Sequence, residues 1–356
     1  MGSPADGIAY ASPKAKIDRL GVAVVGCGLI GTRRAAAAAA HPLTKLVKVA
    51  DTDLARSGAL AKTHECEAVR EWSEIVDDPS VKIVVVSTPN AFLAPIAIAA
   101  LRRNKHVLIE KPPGRNLGEA LEIASVASRA GDARLKVGFN HRYHPAIGRA
   151  YEMLRQGLIG DVLNVRARYG HGGRPGYEDE WRGDPQLAGG GELTDQGVHI
   201  ADLLNWFLGM PETAYCMTQT AMWPIAPLED NAFGILRYRG GAIASLHTSW
   251  TQWKNLFSLE IFGRKGSLSI EGLAGSYGDQ RLTVAFRKPS GGAPDVAEEV
   301  FSGPDQTWAA EWDDFVSGIV EERLYLGTPE DGIAAMATID ALYRSAQSDC
   351  PVRLSA

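Results

Sequence analysis

The architecture follows from the stretch Val22-Ala23-Val24-Val25-Gly26-Cys27-Gly28-Leu29-Ile30-Gly31, which joins a short apolar run to three closely spaced glycines. The apolar run predicts a buried strand, and the residues from Thr32 to Ala40 predict a helix directly after the glycines. Asp51 lies 20 positions after Gly31, at the end of the next apolar run. A strand, a glycine turn, a helix and this acidic residue together predict a dinucleotide-binding unit.

The glycines and the residues between them have separate expected roles in holding a dinucleotide. Gly26 permits the tight turn, Gly28 lets the backbone approach a pyrophosphate, and Gly31 allows the helix to pack closely on the strand. Leu29 and Ile30 open the helix, so their backbone N–H groups can bind phosphate oxygens. A glycine turn without a ligand is the alternative, but the surrounding strand, helix and acidic residue favour the binding site.

Asp51 and Thr52 are expected to contact the adenosine ribose of the dinucleotide. The Asp51 carboxylate would accept hydrogen bonds from both ribose hydroxyls and repel a 2′-phosphate, which favours NAD over NADP. NADP stays open as the alternative cofactor because arginines that could pair with a 2′-phosphate lie at the start of the first helix and on the second: Arg33, Arg34 and Arg56.

The chain divides into two parts with different patterns. From Gly21 to residue 145, apolar runs alternate with amphipathic stretches, which predicts a Rossmann doubly wound parallel sheet of class α/β. Residues 146–356 predict an α+β domain with a large, mostly antiparallel open sheet. We therefore predict an NAD(P)-binding domain over 21–145, a substrate and oligomerisation domain over 146–356, and a loose leader over 1–20. The last helix is expected to pack back on the first domain.

Individual elements of the second part are also predicted from its apolar patterns. One helix is expected near Thr194–Leu208, and two more are expected to close the chain, near Trp308–Glu322 and Pro329–Ser348. The predicted strands are Val162–Tyr169, Ala214–Ala221, Asn231–Tyr238, Ala242–Thr251, Phe257–Phe262 and Ser267–Glu271.

Composition excludes several classes of protein. The chain has 356 residues, 45% of them apolar, and a net charge of −5, so no overall basic field favours nucleic acid. The four cysteines lie far apart, which argues against a disulfide framework and against a zinc site, and no metal is expected. No apolar run reaches the length of a membrane span, and no signal peptide is evident. We expect a cytoplasmic enzyme without nucleic-acid or membrane partners.

Glu110-Lys111-Pro112 ends the fifth predicted parallel strand. Ligands of open α/β sheets bind beyond the carboxyl ends of the strands, so Lys111 is placed to contact a substrate. Its ammonium could hydrogen-bond a hydroxyl, lower the pKa of that hydroxyl and stabilise a developing alkoxide. A surface lysine beside a glutamate is the alternative for this motif taken alone.

Gly189-Gly190-Gly191-Glu192-Leu193-Thr194-Asp195-Gln196-Gly197-Val198-His199 is the second chemical segment. Three glycines would let the backbone approach a ligand closely. Asp195 and His199 are four residues apart and would share a helix face, with Asp202 one turn further on. A carboxylate beside an imidazole is typical of a general acid/base, whereas a structural contact or a metal pair is the alternative.

These motifs, in this order, resemble the glucose–fructose oxidoreductase/inositol dehydrogenase/rhizopine catabolism (Gfo/Idh/MocA) family. Further similarities are Ser87-Thr88-Pro89-Asn90, Asn140-His141-Arg142-Tyr143, and Gly327-Thr328-Pro329-Glu330-Asp331-Gly332. The resemblance covers roughly residues 20–354. It implies a Rossmann domain that binds NAD(P) and a C-terminal sheet that backs the substrate site and builds a homodimer or homotetramer.

The resemblance also assigns roles to individual residues. It implies that Lys111 relays a proton and orients the substrate, that Asp195 binds and orients the substrate, and that His199 is the acid/base. It further implies a cis Lys111–Pro112 peptide. The residues expected to line the nicotinamide and its ribose are Thr88, Pro89, Asn90, Glu110, Lys111 and Asn140. Two positions depart from the family pattern: Leu93 stands where members usually have histidine, and His141 where many have arginine.

The segment from His171 to Arg182 is expected to select the substrate. It combines arginines, a tyrosine and carboxylates in a glycine-rich frame that could bracket a polyhydroxylated ring, and Arg174 could pair with a phosphate. A surface loop whose charges neutralise one another is the alternative. The residues expected to bind substrate are Arg142, Arg174, Tyr177, Trp181, Arg182, Asp195 and His199.

These observations favour an NAD(P)-dependent oxidoreductase. Hydride would pass between nicotinamide and a secondary alcohol or ketone of a sugar, cyclitol, sugar phosphate or nucleotide sugar. One alternative is a redox-neutral enzyme that oxidises a sugar transiently so that a bond can be eliminated. Another is a non-catalytic NAD-binding sensor, which would not need Lys111, Asp195 and His199.

Overall fold

The computed structural model of the protein describes residues 19–354, so most of the predicted leader, up to residue 18, lies outside the described residues. The first sheet has six parallel strands in the order β3-β2-β1-β4-β5-β6, the doubly wound order expected from the alternating pattern. Its strands are β1 (Leu20–Val25), β2 (Thr44–Ala50), β3 (Glu67–Val69), β4 (Ile83–Val86), β5 (His106–Glu110) and β6 (Leu135–Gly138).

Helices connect these strands. They are α1 (Leu29–Ala40), α2 (Leu54–His64), α3 (Ser73–Val76), α4 (Asn90–Arg102) and α5 (Leu117–Ala127). α1 lies very close to the turn before it, because a Cβ atom at Gly31 would stand only 1.8 Å from the carbonyl oxygen of Gly26. Glycine is therefore required there by close packing, as the sequence predicts.

The second sheet has nine strands in the order β14-β13-β12-β11-β7-β10-β9-β8-β15. All neighbours are antiparallel except β7 and β10, which run parallel. Its strands are β7 (Val162–Gly170), β8 (Thr213–Gln219), β9 (Asn231–Arg237), β10 (Ile243–Ser249), β11 (Leu256–Gly263), β12 (Gly266–Glu271), β13 (Gln280–Phe286), β14 (Asp295–Phe301) and β15 (Val352–Arg353). The mixed α/β class and the mostly antiparallel second sheet are confirmed.

The helices of the second part of the chain lie against one face of the second sheet or pack against the first domain. They are α6 (Pro145–Arg155), α7 (Pro185–Ala188), α8 (Glu192–Asp195), α9 (Gly197–Leu208), α10 (Thr307–Val320) and α11 (Pro329–Ser348). α11 contacts α9 and β8 in the second part and α5 and β6 in the first. Thr328 and Asp331 cap its first turn reciprocally. α11 thus contacts elements from both halves of the chain.

α10 packs against the first sheet rather than the second. Trp312, Phe315 and Val316 lie in one buried cluster with apolar residues of β1, β4 and β5. This helix comes from the part of the chain assigned by sequence to the substrate domain, yet it completes the core of the other domain. The two sheets lie on either side of the proposed boundary near residue 145.

Two details of the fold differ from the predicted elements. The helix predicted near Thr194–Leu208 is broken at Gln196, which separates α8 from α9. Four strands, β3, β13, β14 and β15, were not predicted, and β14 is an edge strand with mostly exposed residues. Within residues 19–354, no helix combines the length and the apolar character that a bilayer crossing requires.

Candidate active site

Lys111 and Asp195 meet at the carboxyl end of the first sheet. Lys111 follows β5 directly, and its Nζ donates hydrogen bonds to Asp195 Oδ1 at 2.9 Å and to the Asp195 carbonyl oxygen at 2.6 Å. Arg182 Nε donates to the other carboxylate oxygen, Oδ2, at 2.9 Å. The Lys111–Pro112 peptide is cis, as the family resemblance implies. Asp195 therefore lies between two cations.

The two cations determine the ionisation of Asp195. Burial alone would raise the pKa of this carboxyl, but the positive charges of Lys111 and Arg182 outweigh it and hold the pKa well below its usual range. The same carboxylate raises the pKa of Arg182 against the opposing effect of burial. Asp195 is thus a fixed anion that can orient Lys111 without exchanging a proton.

His199 lies in the first turn of α9, with 3% of its surface exposed. Its pKa is well below the ordinary value, first because of burial and then because of the nearby charges of Lys111 and His144. The ring is therefore neutral at pH 7, which is the form that can accept a proton. Its Nδ1 is buried without a hydrogen-bond partner.

The break at Gln196 changes the relation that spacing predicts between Asp195 and His199. The two residues lie on successive helices, α8 and α9, instead of one helix face. Asp202 does not join them. It accepts two hydrogen bonds from Arg142, at 2.6 and 2.9 Å, in a buried ion pair.

Arg142 does not have the position expected of a substrate-binding residue. Its side chain is buried, and its guanidinium is shared between Asp202 and Asp331, the latter 3.0 Å away. Because both carboxylates already occupy its donors, Arg142 ties the turn after β6 to α9 and α11. The structure supports a scaffolding role for it.

The three glycines of the second motif are crowded by the chain itself. A Cβ at Gly190 would stand 2.1 Å from Thr194 Oγ1, and one at Gly191 would stand 2.1 Å from the Glu229 carbonyl oxygen. At Gly189, where φ is +77°, the nearest atom would be Arg115 Cβ at 2.5 Å. Close packing against Arg115, Thr194 and Glu229 is therefore sufficient to account for these glycines.

Glu192 is a residue of this site that the sequence analysis did not single out. Its side chain is fully buried, and neither carboxyl oxygen has a hydrogen-bond partner. Burial first and then the Asp195 charge raise its pKa well above the usual value, although Lys111 acts in the opposite direction. A buried carboxyl group with a raised pKa therefore lies beside the Lys111–Asp195 pair. The only sequence signal was a carboxylate between glycine and leucine.

The glycine turn after β1 has the shape that a dinucleotide requires. Gly26 has φ of +93°, and a Cβ there would stand 2.5 Å from the Ser87 carbonyl oxygen. Gly28, by contrast, faces open space, with nothing within 4 Å of a Cβ position, and no side chain caps α1. The first N–H groups of α1 are thus left for a phosphate. Asp51 accepts hydrogen bonds from the backbone N–H groups of Cys27 (2.7 Å) and Asp53 (2.9 Å), and Thr52 lies between these two aspartates.

The residues expected around the nicotinamide follow β4, β5 and β6. Thr88 and Pro89 precede α4, while Asn90 Nδ2 donates to the Ala188 carbonyl oxygen at 2.9 Å. Asn140 Nδ2 donates to Thr307 Oγ1 at 3.1 Å. Leu93, the departure from the family pattern, is fully buried in the core.

Glu110 has a partner that the sequence did not suggest. It accepts a hydrogen bond from Arg34 Nε at 2.6 Å, and Arg34 also pairs with Glu311 of α10. Arg34 is completely buried, so it is not an arginine that could bind a 2′-phosphate. Of the other two candidates, Arg33 is exposed beside Trp308, and Arg56 pairs with Asp53 at 3.1 Å.

The loop expected to select the substrate is only partly directed at the site. Arg174 pairs with Glu180 at 2.6 Å, and Arg182 lies over the Trp181 ring at 4.4 Å. Tyr177 differs from the prediction: it is 2% exposed and packs edge-on against Trp250 at 4.8 Å. The structure therefore brings Arg182 to Asp195, with Trp181 stacked against the Arg182 guanidinium, whereas Tyr177 is part of the loop's own core.

Among residues 19–354, no group of three or more His, Cys, Asp or Glu side chains is arranged to hold a metal ion. The four cysteines are free. The side chains that the structure brings together at this site are those of Lys111, Asp195, Arg182 and the buried Glu192.

Comparison with known proteins agrees with this geometry. Residues 20–139 match the family described as an oxidoreductase family with an NAD-binding Rossmann fold, and residues 147–269 match the GFO/IDH/MocA C-terminal domain. The first domain is thus an NAD-binding Rossmann domain.

Three known proteins illustrate the similarity. A levoglucosan dehydrogenase of Pseudarthrobacter phenanthrenivorans is 27% identical over 71% of this chain and 73% of its own. A 1,5-anhydro-D-fructose reductase of Ensifer adhaerens is 32% identical over 63% of this chain and 67% of its own. The crystal structure of GenD2 from gentamicin A biosynthesis in complex with NAD has a TM-score of 0.82 at 26% identity, with both chains fully covered. The chain belongs to the Gfo/Idh/MocA family of NAD(P)-dependent oxidoreductases.

Proposed function

We propose that the protein transfers hydride between NAD and a secondary alcohol or ketone carbon of a sugar-like ring. The candidate substrates are free sugars, cyclitols, sugar phosphates and nucleotide sugars. The observation that carries this proposal is the Lys111–Asp195–Arg182 arrangement beside a neutral His199. The relatives named as a levoglucosan dehydrogenase and an anhydrofructose reductase support a sugar-like substrate.

Each of these side chains has a distinct task in the oxidation of an alcohol. His199 accepts the hydroxyl proton, because its depressed pKa keeps the ring neutral. Lys111, held by two hydrogen bonds to Asp195, donates to the same oxygen and stabilises the negative charge that develops on it. In the reverse direction, His199 returns the proton to the ketone oxygen.

The cofactor turn and the sheet edge fit a bound dinucleotide. The open space at Gly28 and the uncapped N-terminus of α1 suit a pyrophosphate. When NAD is bound, its nicotinamide supplies the hydride acceptor for the carbon that bears the oxidised hydroxyl. Arg182, which pairs with Asp195, and Trp181, which lies against Arg182, are proposed to contact the substrate ring, with Arg174 earlier in the same loop.

Absorbance at 340 nm with a panel of these four substrate classes tests the proposal. We expect Lys111→Ala to lower kcat by about 100-fold or more, because the charge on the oxygen loses its donor. The affinity for NAD, measured by titration calorimetry, should stay close to that of the wild type. Lys62→Ala, which removes an exposed lysine on α2, is the matched control.

Other outcomes of the panel would redirect the proposal. No absorbance change with any substrate, but NAD released from the denatured protein, would favour the redox-neutral alternative. A Lys111→Ala variant that turns over substrate normally would exclude Lys111 from the chemistry. If that variant instead lost NAD binding, Lys111 would have a structural role.

We further propose that the enzyme prefers NAD to NADP. The Asp51 carboxylate lies at the end of β2, where a 2′-phosphate would be repelled, and Arg34 is engaged by Glu110 and Glu311. Asp51→Ala should therefore reduce the ratio of kcat/KM for NAD to that for NADP by about tenfold or more, equivalent to 1.4 kcal/mol. An unchanged ratio would contradict this role of Asp51.

A homodimer or homotetramer through the second sheet completes the proposal. Alternate residues of β9 and its neighbours leave Met217, Phe233, Ile235 and Ile243 about half exposed on the face away from the helices. Arg166, Arg168 and Glu260 border the same face, so it carries both signs of charge and can pair with a second copy of itself. Phe233→Glu should give a monomer in sedimentation experiments, whereas a monomeric wild type would contradict the proposal.

A further inference from the structure

Three buried histidines from different elements pack together behind the proposed catalytic lysine. His141 lies on the turn after β6, His144 precedes α6, and His199 is on α9. The rings of His141 and His199 are stacked, with centroids 3.7 Å apart and planes inclined by 23°, and His144 meets His141 edge-on at 5.4 Å. His141 is one of the two positions at which this chain departs from the family pattern.

A chain of hydrogen bonds fixes the state of the His141 ring. Thr307 Oγ1 donates to Asp305 Oδ1 at 2.7 Å, so it accepts from the amide nitrogen of Asn140 at 3.1 Å. The amide oxygen of Asn140 consequently faces His141 Nδ1, 3.2 Å away, and this nitrogen carries the ring proton. Nε2 of His141 is then an acceptor, buried without a partner.

The stacked pair lies in a dry and charged environment. Burial is the first cause that lowers the pKa of both rings, followed for His141 by His199, His144 and Lys111. The pKa of His144 falls to about 4 for the same reason, although Asp305 opposes the shift. Other titratable groups on α9 and on the elements packed against it include Tyr169 on β7, Glu192 and Asp195 on α8, and the Arg142–Asp202 pair.

We propose that His141 is a positioning residue for His199: its ring holds the plane of the His199 imidazole and excludes water from one face of it. Two neutral rings can stack at this distance without repulsion, whereas the arginine common at this position in the family would place a permanent charge against His199. The ring held in this way lies within the electrostatic influence of Lys111. The role of His199 as the proton acceptor rests on the proposed function, but the stacking does not.

Nuclear magnetic resonance of ring-labelled histidines tests the proposal without substrate or cofactor. We compare His199 in the wild type, His141→Phe and His141→Ala, with its signal assigned by His199→Ala. Phenylalanine keeps a flat ring of similar size, so the titration of His199 should not change. Alanine admits water, so the pKa of His199 should rise toward its ordinary value by about one unit.

Kinetics provide the second measurement. His141→Ala should lower kcat by about tenfold. The loss of rate on acidification should begin at a higher pH, because the pKa of His199 rises, and KM for NAD should be unchanged. His141→Phe should match the wild type within about threefold. If the alanine variant fails to fold, His141→Leu takes its place, because leucine fills the space without a flat ring. This variant should lower kcat and leave KM for NAD unchanged. His64→Ala is the control for loss of an imidazole elsewhere.

The outcomes separate this inference from the proposed function. Equal titration of His199 in the wild type and in His141→Ala would overturn the inference, whatever the substrate. A phenylalanine variant as impaired as the alanine variant would also overturn it, because the imidazole nitrogens would then be what matters. An inactive wild type with the expected titration shifts would instead contradict the proposed function alone.

Discussion

Removal of the Arg142 side chain tests whether this arginine supports the structure or binds substrate. In Arg142→Met the buried Asp202, 1% exposed, would lose its only cationic partner among the described residues, while Asp331 is partly exposed and can be solvated. Loss of one member of a buried ion pair costs about 3 to 5 kcal/mol. At roughly 2 °C per kcal/mol, the Tm should fall by about 6 °C or more.

The deficit should depend on pH, and its sign follows from Asp202. Burial raises the pKa of this carboxyl to about 6 even with Arg142 present. A folded-state pKa above the unfolded value means that protonation favours the folded protein, so stability falls as the pH rises through this range. Without Arg142 the pKa of Asp202 rises further. Above pH 6 the ionised Asp202 then destabilises the folded variant more than it destabilises the wild type. The Tm difference between wild type and variant should therefore be larger at pH 8 than at pH 5.

Differential scanning fluorimetry at these two pH values measures the effect. The double variant Arg142→Met, Asp202→Leu removes both charges and should recover much of the lost Tm, because no unpaired carboxylate remains. The reasoning is refuted if Arg142→Met melts like the wild type at pH 8. An unchanged Tm together with a raised KM for substrate would restore the substrate-binding role expected from the sequence.

Two further substitutions test the cofactor turn and the buried acid. Gly31→Ala should abolish NAD binding in calorimetry, because its Cβ would overlap the Gly26 carbonyl oxygen at 1.8 Å. Gly58→Ala, with open space around the new Cβ, is the control and should bind NAD normally. Normal NAD binding by Gly31→Ala would contradict the turn geometry. Glu192→Gln should raise the Tm more at pH 8 than at pH 5, because the raised pKa of Glu192 means that ionisation destabilises the folded wild type as the pH rises. Glu74→Gln, at an exposed position, is the control for this variant. An increase in Tm confined to pH 5 would contradict the raised pKa, because it would show that Glu192 is ionised in the folded wild type.

The sequence predicted most strands of the first sheet because Val22–Val25 and Ile83–Val86 are continuous apolar runs, as expected of buried parallel strands, and a single lysine interrupts the apolar runs in β2 and β6. The same rule explains why β14 in the second sheet was not predicted from the sequence. β14 contains Asp295, Glu298 and Glu299 and lies at an edge, where few residues are buried. β13 alternates buried and exposed residues, so Leu282 and Val284 did carry a readable signal.

In the candidate site, too, sequence motifs identified some residues, whereas contacts between distant parts of the chain could not be predicted. Lys111 and Asp195 were assigned to one site because both match motifs of the family that the sequence resembles. Arg34 could not be placed, because its partner Glu311 is 277 residues away and nothing local marks α1 as contacting α10. The stacking of His141 on His199 likewise depends on how α9 approaches the turn after β6, which no local pattern encodes.

The position of α10 has a consequence for synthesis of the chain on the ribosome. β1, β4 and β5 are made early, but Trp312, Phe315 and Val316, which share their buried cluster, emerge only after β7 to β14 have been translated. The nascent first domain therefore exposes an apolar surface throughout that interval, and such surfaces bind chaperones or aggregate. A fragment that ends near residue 145 should consequently be insoluble by itself, and supplying α10 by circular permutation, directly before β1, should let that domain fold without the rest of the chain.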